Sequence, residues 1–212
     1  MKLYGYFRSS AAYRIRLVLH LKGLAYDQQF VHLRKGENLQ PGYLEVNPQG
    51  KVPALINGED VLTQSMAIAE YIEEEYPTPA LMPEARAERA RVRALCQAVA
   101  CDIHPINNLP VLNYLVNDMG LTEADKMRWY HHWIAVGLGA VEAMLEASPH
   151  TGKFCHGDTP TLADTFLVPQ VFNASRFDCD LSGFPTVNRI EAACQELEAF
   201  RIAHPDVQPD KE

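Results

Sequence analysis

Short β-like runs alternate with helical periodicity over the first eighty residues. Residues 2–7 are apolar and aromatic, as a buried strand requires. Ser9 and Ser10 follow with N-cap chemistry, and Ala11, Ile15, Val18 and Leu19 recur at i, i+4, i+7 and i+8, one face of a helix. Gly23 stands where a left-handed residue closes a helix. Residues 26–31 predict a second strand, parallel to the first because a helix separates them, with a right-handed crossover. After a loop rich in Gly and Pro, residues 52–56 and 61–62 flank Asn57-Gly58, a strong hairpin signal. Ser65 then serves as the N-cap of a helix carrying Ile68 and Ile72 inward and ending before Pro77.

Pro77-Thr78-Pro79 and Pro83 punctuate a linker, and the pattern turns helical. Val92, Leu95, Cys96, Val99, Ile103 and Ile106 form one stripe, and residues 127–145 a second helix. Thr161-Leu162-Ala163-Asp164 matches a capping box and opens a third. Pro149, Pro160, Pro169 and Pro185 are read as breaks or kinks, and the polar tail 205–212 is expected to fray. The reading is a chain in two parts, an α/β domain over residues 1–80 and an all-α domain over 86–212.

Charge narrows the function classes. Nineteen Lys and Arg stand against 27 Asp and Glu, a net −8 over 212 residues. Nucleic acid and anionic membrane surfaces both demand clustered positive charge, so neither is expected as a partner. No apolar run approaches the roughly 18–20 residues of a membrane span, and the first residues lack a secretory leader, which predicts a cytoplasmic protein. Cys96, Cys101, Cys155, Cys179 and Cys194 are scattered without a C-x-x-C, so they read as reduced thiols, with no metal site expected. Arg86, Arg89, Arg91 and Arg93 read as a solvated helix face.

Several short segments carry candidate chemistry. Arg8-Ser9-Ser10 lies at the first strand-to-helix turn, where two hydroxyls and a helix N-terminus can stabilise a thiolate or another anion. No triad partner and no G-x-S-x-G elbow accompanies it, so Ser9 is better suited to donate a hydrogen bond than to attack. Val52-Pro53 opens a strand, and a cis bond there would turn the Val52 backbone outward toward an extended peptide-like ligand; a trans bond at a strand start is the alternative. Gln64-Ser65 places a second helix N-terminus and hydroxyl where an anion is favoured. His104 and Asn108 fall at i, i+4, whereas His131 and His132 are adjacent and point apart.

The order of these segments resembles the thioredoxin-like half of a cytosolic glutathione transferase. More narrowly, Arg8-Ser9-Ser10-Ala11-Ala12-Tyr13-Arg14-Ile15-Arg16 is similar to the N-terminal signature of the zeta class. Asn47-Pro48, Val52-Pro53, Gln64-Ser65-Met66-Ala67-Ile68, Gly157-Asp158 and Leu167-Val168-Pro169-Gln170-Val171 also match, as does the tail from Leu197 through His204-Pro205. The resemblance implies a thioredoxin-like domain with a mixed four-stranded sheet, an all-α C-terminal domain, a homodimer, and a glutathione-dependent maleylacetoacetate isomerase of aromatic amino-acid breakdown. In that family a thiolate adds to the conjugated cis bond, the bond rotates as a single bond, and the thiolate is expelled.

By the same resemblance, Ser9 donates to the glutathione thiolate and Ser10 supports it, Val52 and Pro53 hold the cysteinyl backbone, and Gln64 and Ser65 hold the γ-glutamyl carboxylate. Asn38 and Gln49 join them from the loop, and His104 and Asn108 from the helical domain. Arg8 and Arg176 are the candidates for the carboxylates of a dicarboxylate substrate and for the developing enolate. Where the family often carries Ser-Ser-Cys, this chain has Ala11, so a protein thiol is excluded there. A related subgroup acting on maleylpyruvate carries an Arg after the Asn-Asn pair, where this chain has Leu109-Pro110. A transferase of small electrophiles such as haloacids, and a non-catalytic scaffold of the same fold, are the alternatives.

Overall fold

The computed structural model describes every residue, Met1–Glu212. Its contacts divide into two compact units, Met1–Met82 with Gln195–Glu212, and Pro83–Cys194. The expected division was 1–80 and 86–212; the last eighteen residues, 195–212, pack instead with the N-terminal unit.

In the N-terminal unit, β1 (Lys2–Gly5), α1 (Ser10–Leu21) and β2 (Asp27–Phe30) form the expected parallel crossover. The hairpin β3 (Ala54–Asn57) and β4 (Asp60–Thr63) adds antiparallel strands, giving a four-stranded mixed sheet in the order β2-β1-β3-β4. Asn57 pairs with Asp60, so the two-residue turn is Gly58-Glu59, one position later than the sequence suggests. Gly58 has φ 63° and Glu59 does not share a positive φ, which fits a turn needing glycine at its first central position only. α2 (Pro41–Leu44) sits in the intervening loop and α3 (Ser65–Glu75) follows the hairpin.

α1 is not the one-faced helix its pattern predicts. Residues on every side of it are buried, from Ser10 and Ala12 through Leu19, Arg14 and Arg16 included. α3 packs against it, and so does α9 (Glu198–Ala203), an element the periodicity did not reveal. Fully burying Ile15, Leu17, Val18 and Leu19 is worth about 1.5–3 kcal/mol each. Inside the unit Arg14 donates to Ser65 Oγ, and Arg16 to the carbonyls of Phe7 and Ala203. Ser65 was expected to cap α3, but Gln64 is the N-cap, in a left-handed conformation with φ 68° and ψ 118°.

The C-terminal tail does not fray. Pro205–Val207 forms a 3-10 turn, and Gln208 is buried with its amide donating to the carbonyls of Ile202 and His204, both at 2.9 Å. Gln28 of β2 donates to the Gln208 side-chain oxygen at 3.1 Å, and Glu212 pairs with His32.

The second unit is all helical: α4 (Arg86–Gln97), α5 (Leu109–Asn117), α6 (Glu123–Glu146), α7 (Leu162–Arg176) and α8 (Pro185–Gln195). α5 and α8 were not anticipated. The predicted stripe holds from Val92 to Ile103, but the backbone widens to a π-helix over Ala98–Ile103. α7 is the core helix, buried continuously from Leu162 to Val171. It runs through Pro169 unbroken, because packing on all sides offsets the lost bond of about 3 kcal/mol. Pro185 starts α8 rather than breaking a helix, its missing N–H costing nothing in a first turn. The Thr161–Asp164 capping box is present, and the buried Asp164 carboxylate also accepts from Cys155 N–H at 2.8 Å. Arg91 is not a solvated surface charge: it donates to Cys155 O at 2.8 Å and Thr151 Oγ1 at 2.7 Å.

Candidate active site

The first candidate segment is the turn between β1 and α1. Ser9 is the N-cap of α1, extended at φ −68° and ψ 113°, and its Oγ accepts from Ala12 N–H at 3.2 Å. Accepting there leaves the hydroxyl proton available to donate outward. The N–H groups of Ser10 and Ala11 lead the helix, and the helix dipole adds to the positive potential. Ser10 is buried, while Arg8 is half-buried with its guanidinium carbon 4.9 Å from the Phe7 ring centroid.

A second segment approaches from the loop before β3. Val52-Pro53 is a cis bond. Neither the N–H nor the C=O of Val52 bonds within the chain, although the residue is buried; a peptide-like ligand would complete that pairing. Buried Asn47 fixes the loop by donating to Lys51 O at 2.7 Å and accepting from Gln49 N–H at 3.1 Å. Tyr43 donates to the same Lys51 carbonyl at 2.7 Å, and burial pushes its phenol up to about 12. Asn38 donates to Gly50 O at 2.7 Å, and Gln64 donates to Gln49 Oε1 at 2.8 Å. Asn38, Asn47, Gln49 and Gln64 are thus tied into one network that flanks Val52 and Pro53 in this loop.

The third segment is the N-terminus of α3. Ser65 is buried, and its Oγ accepts from Arg14 at 3.0 Å. That bond uses a lone pair of the oxygen and leaves the Ser65 proton available to donate. Arg14 is only 2% exposed, a buried cation immediately behind an anion-favouring helix end. The sequence signal for Arg14 is a charge inside the apolar run from Tyr13 to Leu19.

In the helical unit, His104 lies between the π-helix Ala98–Ile103 and the 3-10 turn Pro105–Asn107. Asn108 is the N-cap of α5. α6 braces this region at two adjacent residues: Trp129 donates to Ile106 O at 3.0 Å, and Asn107 to Tyr130 O at 3.4 Å. Tyr130 in turn packs against Phe177, with centroids 4.4 Å apart and the rings tilted by 45°. Arg176 ends α7, exposed, donating to Asn173 Oδ1 at 2.9 Å with its guanidinium carbon 4.6 Å from the Phe177 ring centroid.

One further cluster lies in this unit. Glu88, His150 and His156 offer ligand atoms within 4.8 Å of one another, and the two imidazoles stack at 5.4 Å. Arg91 donates to His156 Nδ1 at 3.2 Å, which puts the ring proton on Nε2, facing Glu88 Oε2 at 3.3 Å. A metal at Nε2 would require a proton on Nδ1, directly against the Arg91 donor, so these residues suit a hydrogen-bond relay and not an ion.

Residues 1–74 match the family described as "Glutathione S-transferase, N-terminal domain". Over 99% of both chains the sequence is 50% identical to a maleylpyruvate isomerase of Ralstonia sp. It is 46% identical to the maleylacetoacetate isomerase of Pseudomonas aeruginosa, over 99% of this chain and 98% of that protein. A maleylacetoacetate isomerase from Methylobacterium extorquens, solved with bound malonate and GSH, superposes with a TM-score of 0.97 over 100% of both chains at 39% identity.

Proposed function

Because the chain belongs to the zeta-class glutathione transferase and maleylacetoacetate isomerase family, we propose that it is a glutathione-dependent cis–trans isomerase of maleylacetoacetate, forming fumarylacetoacetate. The observation that carries this reading is the Ser9 turn, with a hydroxyl proton free to donate beside the leading N–H groups of α1. When bound, glutathione supplies a thiolate that adds to the conjugated bond and departs after that bond has turned. The unpaired Val52 backbone and the Ser65–Arg14 pair support a cradle for its peptide and its γ-glutamyl carboxylate.

Ser9 holds the sulfur anionic by donating to it, and Ser10 with the α1 N-terminus supports that charge. Lowering a thiol pKa by two units from about 8.5 is worth about 2.7 kcal/mol. Ala11 keeps a competing protein thiol out of the turn. Gln64 and Ser65 anchor one end of the tripeptide, with Asn38 and Gln49 stiffening the loop that carries Val52 and Pro53. Arg8 faces the task of holding a substrate carboxylate in a protein of net charge −8. His104, Asn108 and Arg176 are the helical unit's candidates for further ligand contacts. The same reading includes a homodimer, a cytoplasmic location and a place in aromatic amino-acid breakdown.

Maleylpyruvate is the second reading, favoured by the 50% identity to an isomerase of that name and opposed by Leu109-Pro110. The deciding experiment is an isomerisation assay on both diacids, with and without glutathione, for wild type and Ser9→Ala. Glutathione-dependent turnover of maleylacetoacetate that falls sharply in the variant is the expected result. Turnover of maleylpyruvate alone selects the second reading. Glutathione binding without turnover of either diacid overturns both and leaves the transferase or scaffold.

A further inference from the structure

We propose that Asp210 is a positioning residue for the serine turn; this rests on the reading of that turn as the thiolate site. The parallel ladder between β1 and β2 ends where Val31 N–H donates to Gly5 O at 2.8 Å. The next donor on that edge of β1 is Phe7 N–H, and it is not taken up by β2. Asp210 Oδ2 accepts it at 2.8 Å, across 203 residues of sequence.

The peptide on the other side of Phe7 is held as well. Arg16 donates to Phe7 O at 3.1 Å and to Ala203 O at 3.0 Å, so α1, the turn and α9 share one buried guanidinium. Ser9 N–H then closes on Tyr6 O at 2.9 Å. The turn that aims the Ser9 hydroxyl is therefore fixed at Tyr6, Phe7 and Ser9, and Asp210 is its one restraint supplied by the tail. Gln208 anchors that tail two residues earlier. A cavity of about 10 Å³ lies beside Phe7 and Asp210.

Losing Asp210 removes the restraint on the N–H side of the Tyr6–Phe7 peptide, leaving only its Tyr6 O side held by Ser9 N–H, and so loosens the position of Ser9 Oγ relative to the sulfur. Displacements on the order of 1 Å at a reacting group cost up to about 100-fold, and a partial loss of restraint is expected to cost about tenfold. The effect should fall on kcat, because the groups assigned to the rest of the tripeptide, Val52 and Ser65, do not depend on this bond.

The test measures kcat, KM for glutathione and the pKa of the bound thiol, read from thiolate absorbance, in wild type, Asp210→Ala, Asp210→Asn, Glu212→Gln and Ser9→Ala. The expected result is about a tenfold loss of kcat in Asp210→Ala with a raised thiol pKa and KM within about twofold. Asp210→Asn keeps an oxygen for Phe7 N–H and should recover most of the loss. Glu212→Gln, which loosens the tail at His32 without touching Phe7, should leave all three quantities unchanged. An alanine chain with unaltered thiol pKa and kcat overturns the proposal, and so does an equal effect from Glu212→Gln. Should the alanine chain not fold, the asparagine chain decides by amide exchange: slow exchange at Phe7 with a normal thiol pKa supports the role, and fast exchange with full turnover removes it. A Ser9→Ala chain with an unaltered thiol pKa overturns the underlying reading and this inference with it.

Discussion

Arg14 offers the sharpest quantitative test of the carboxylate site. Its guanidinium donates to Ser65 Oγ at 3.0 Å. A carboxylate oxygen bonded to Ser65 at an ordinary distance would then lie about 5–6 Å from the guanidinium. At an effective dielectric near 20, two unit charges at that distance attract by about 3 kcal/mol, and a hydrogen bond to a charged group contributes about 1.5–3 kcal/mol. These overlap rather than add, so Arg14→Met should weaken glutathione binding by about 2–3 kcal/mol, or about 30- to 150-fold. The chain should still fold, because Arg14→Met removes the buried charge itself and leaves a neutral hydroxyl at Ser65.

Calorimetric titration of glutathione into wild type, Arg14→Met, Ser65→Ala and the double variant reads the effect. Ser65 loses its enforced orientation once Arg14 is gone, so the two substitutions should be less than additive by about 1 kcal/mol or more. A dipeptide lacking the γ-glutamyl group should bind wild type and Arg14→Met equally. An Arg14→Met dissociation constant within about threefold of wild type, or strictly additive single variants, would refute the argument.

His20 is half-buried against Tyr26, and burial, with Arg16 second, holds its pKa below 6.5. The unfolded chain therefore takes up that proton first, so stability should fall as the pH drops below about 6.5 and level off beneath the folded pKa; His20→Gln should flatten this loss in urea midpoints at about pH 7.5 and about pH 5.5. A thiol reagent should modify exposed Cys101 first, with buried Cys96, Cys155 and Cys194 reacting only on unfolding. Cys179 should lag, because burial raises its pKa to about 11 and leaves only about 0.1% thiolate at about pH 8; mass mapping over time checks the order. A Cβ on Gly137 would lie 2.7 Å from Ile103 Cδ1 and closer still to Cγ1. Gly137→Ala should cost about 1–3 kcal/mol in denaturant unfolding, and less than the sum when paired with Ile103→Ala.

The parts legible in the sequence were those whose cause is local. The β1–α1–β2 crossover, the hairpin and the Thr161–Asp164 box each rest on residues a few positions apart. The misreadings share a different origin. Pro169 sits inside a helix because α7 is surrounded, and Ser65 is the first residue of α3 rather than its N-cap, its hydroxyl accepting from Arg14, fifty-one residues away. Periodicity reports which residues want burial; it does not report what buries them.

The arginines of α1 show where that limit lies. Arg14 and Arg16 are two apart, so they leave the helix in different directions, and an amphipathic reading assigns them to solvent. Both are buried, because α3 covers one side of α1 and α9 another. Each then reaches outward to a segment with candidate chemistry, Arg14 to Ser65 and Arg16 to the carbonyl of Phe7. A directional hydrogen bond from a buried guanidinium fixes its acceptor more tightly than an apolar contact would, since losing it leaves a buried donor unpaired. The alternation Arg14-Ile15-Arg16, a poor pattern for a surface helix and a poor one for a core helix, thus makes physical sense only when the helix lies between two elements that both need positioning.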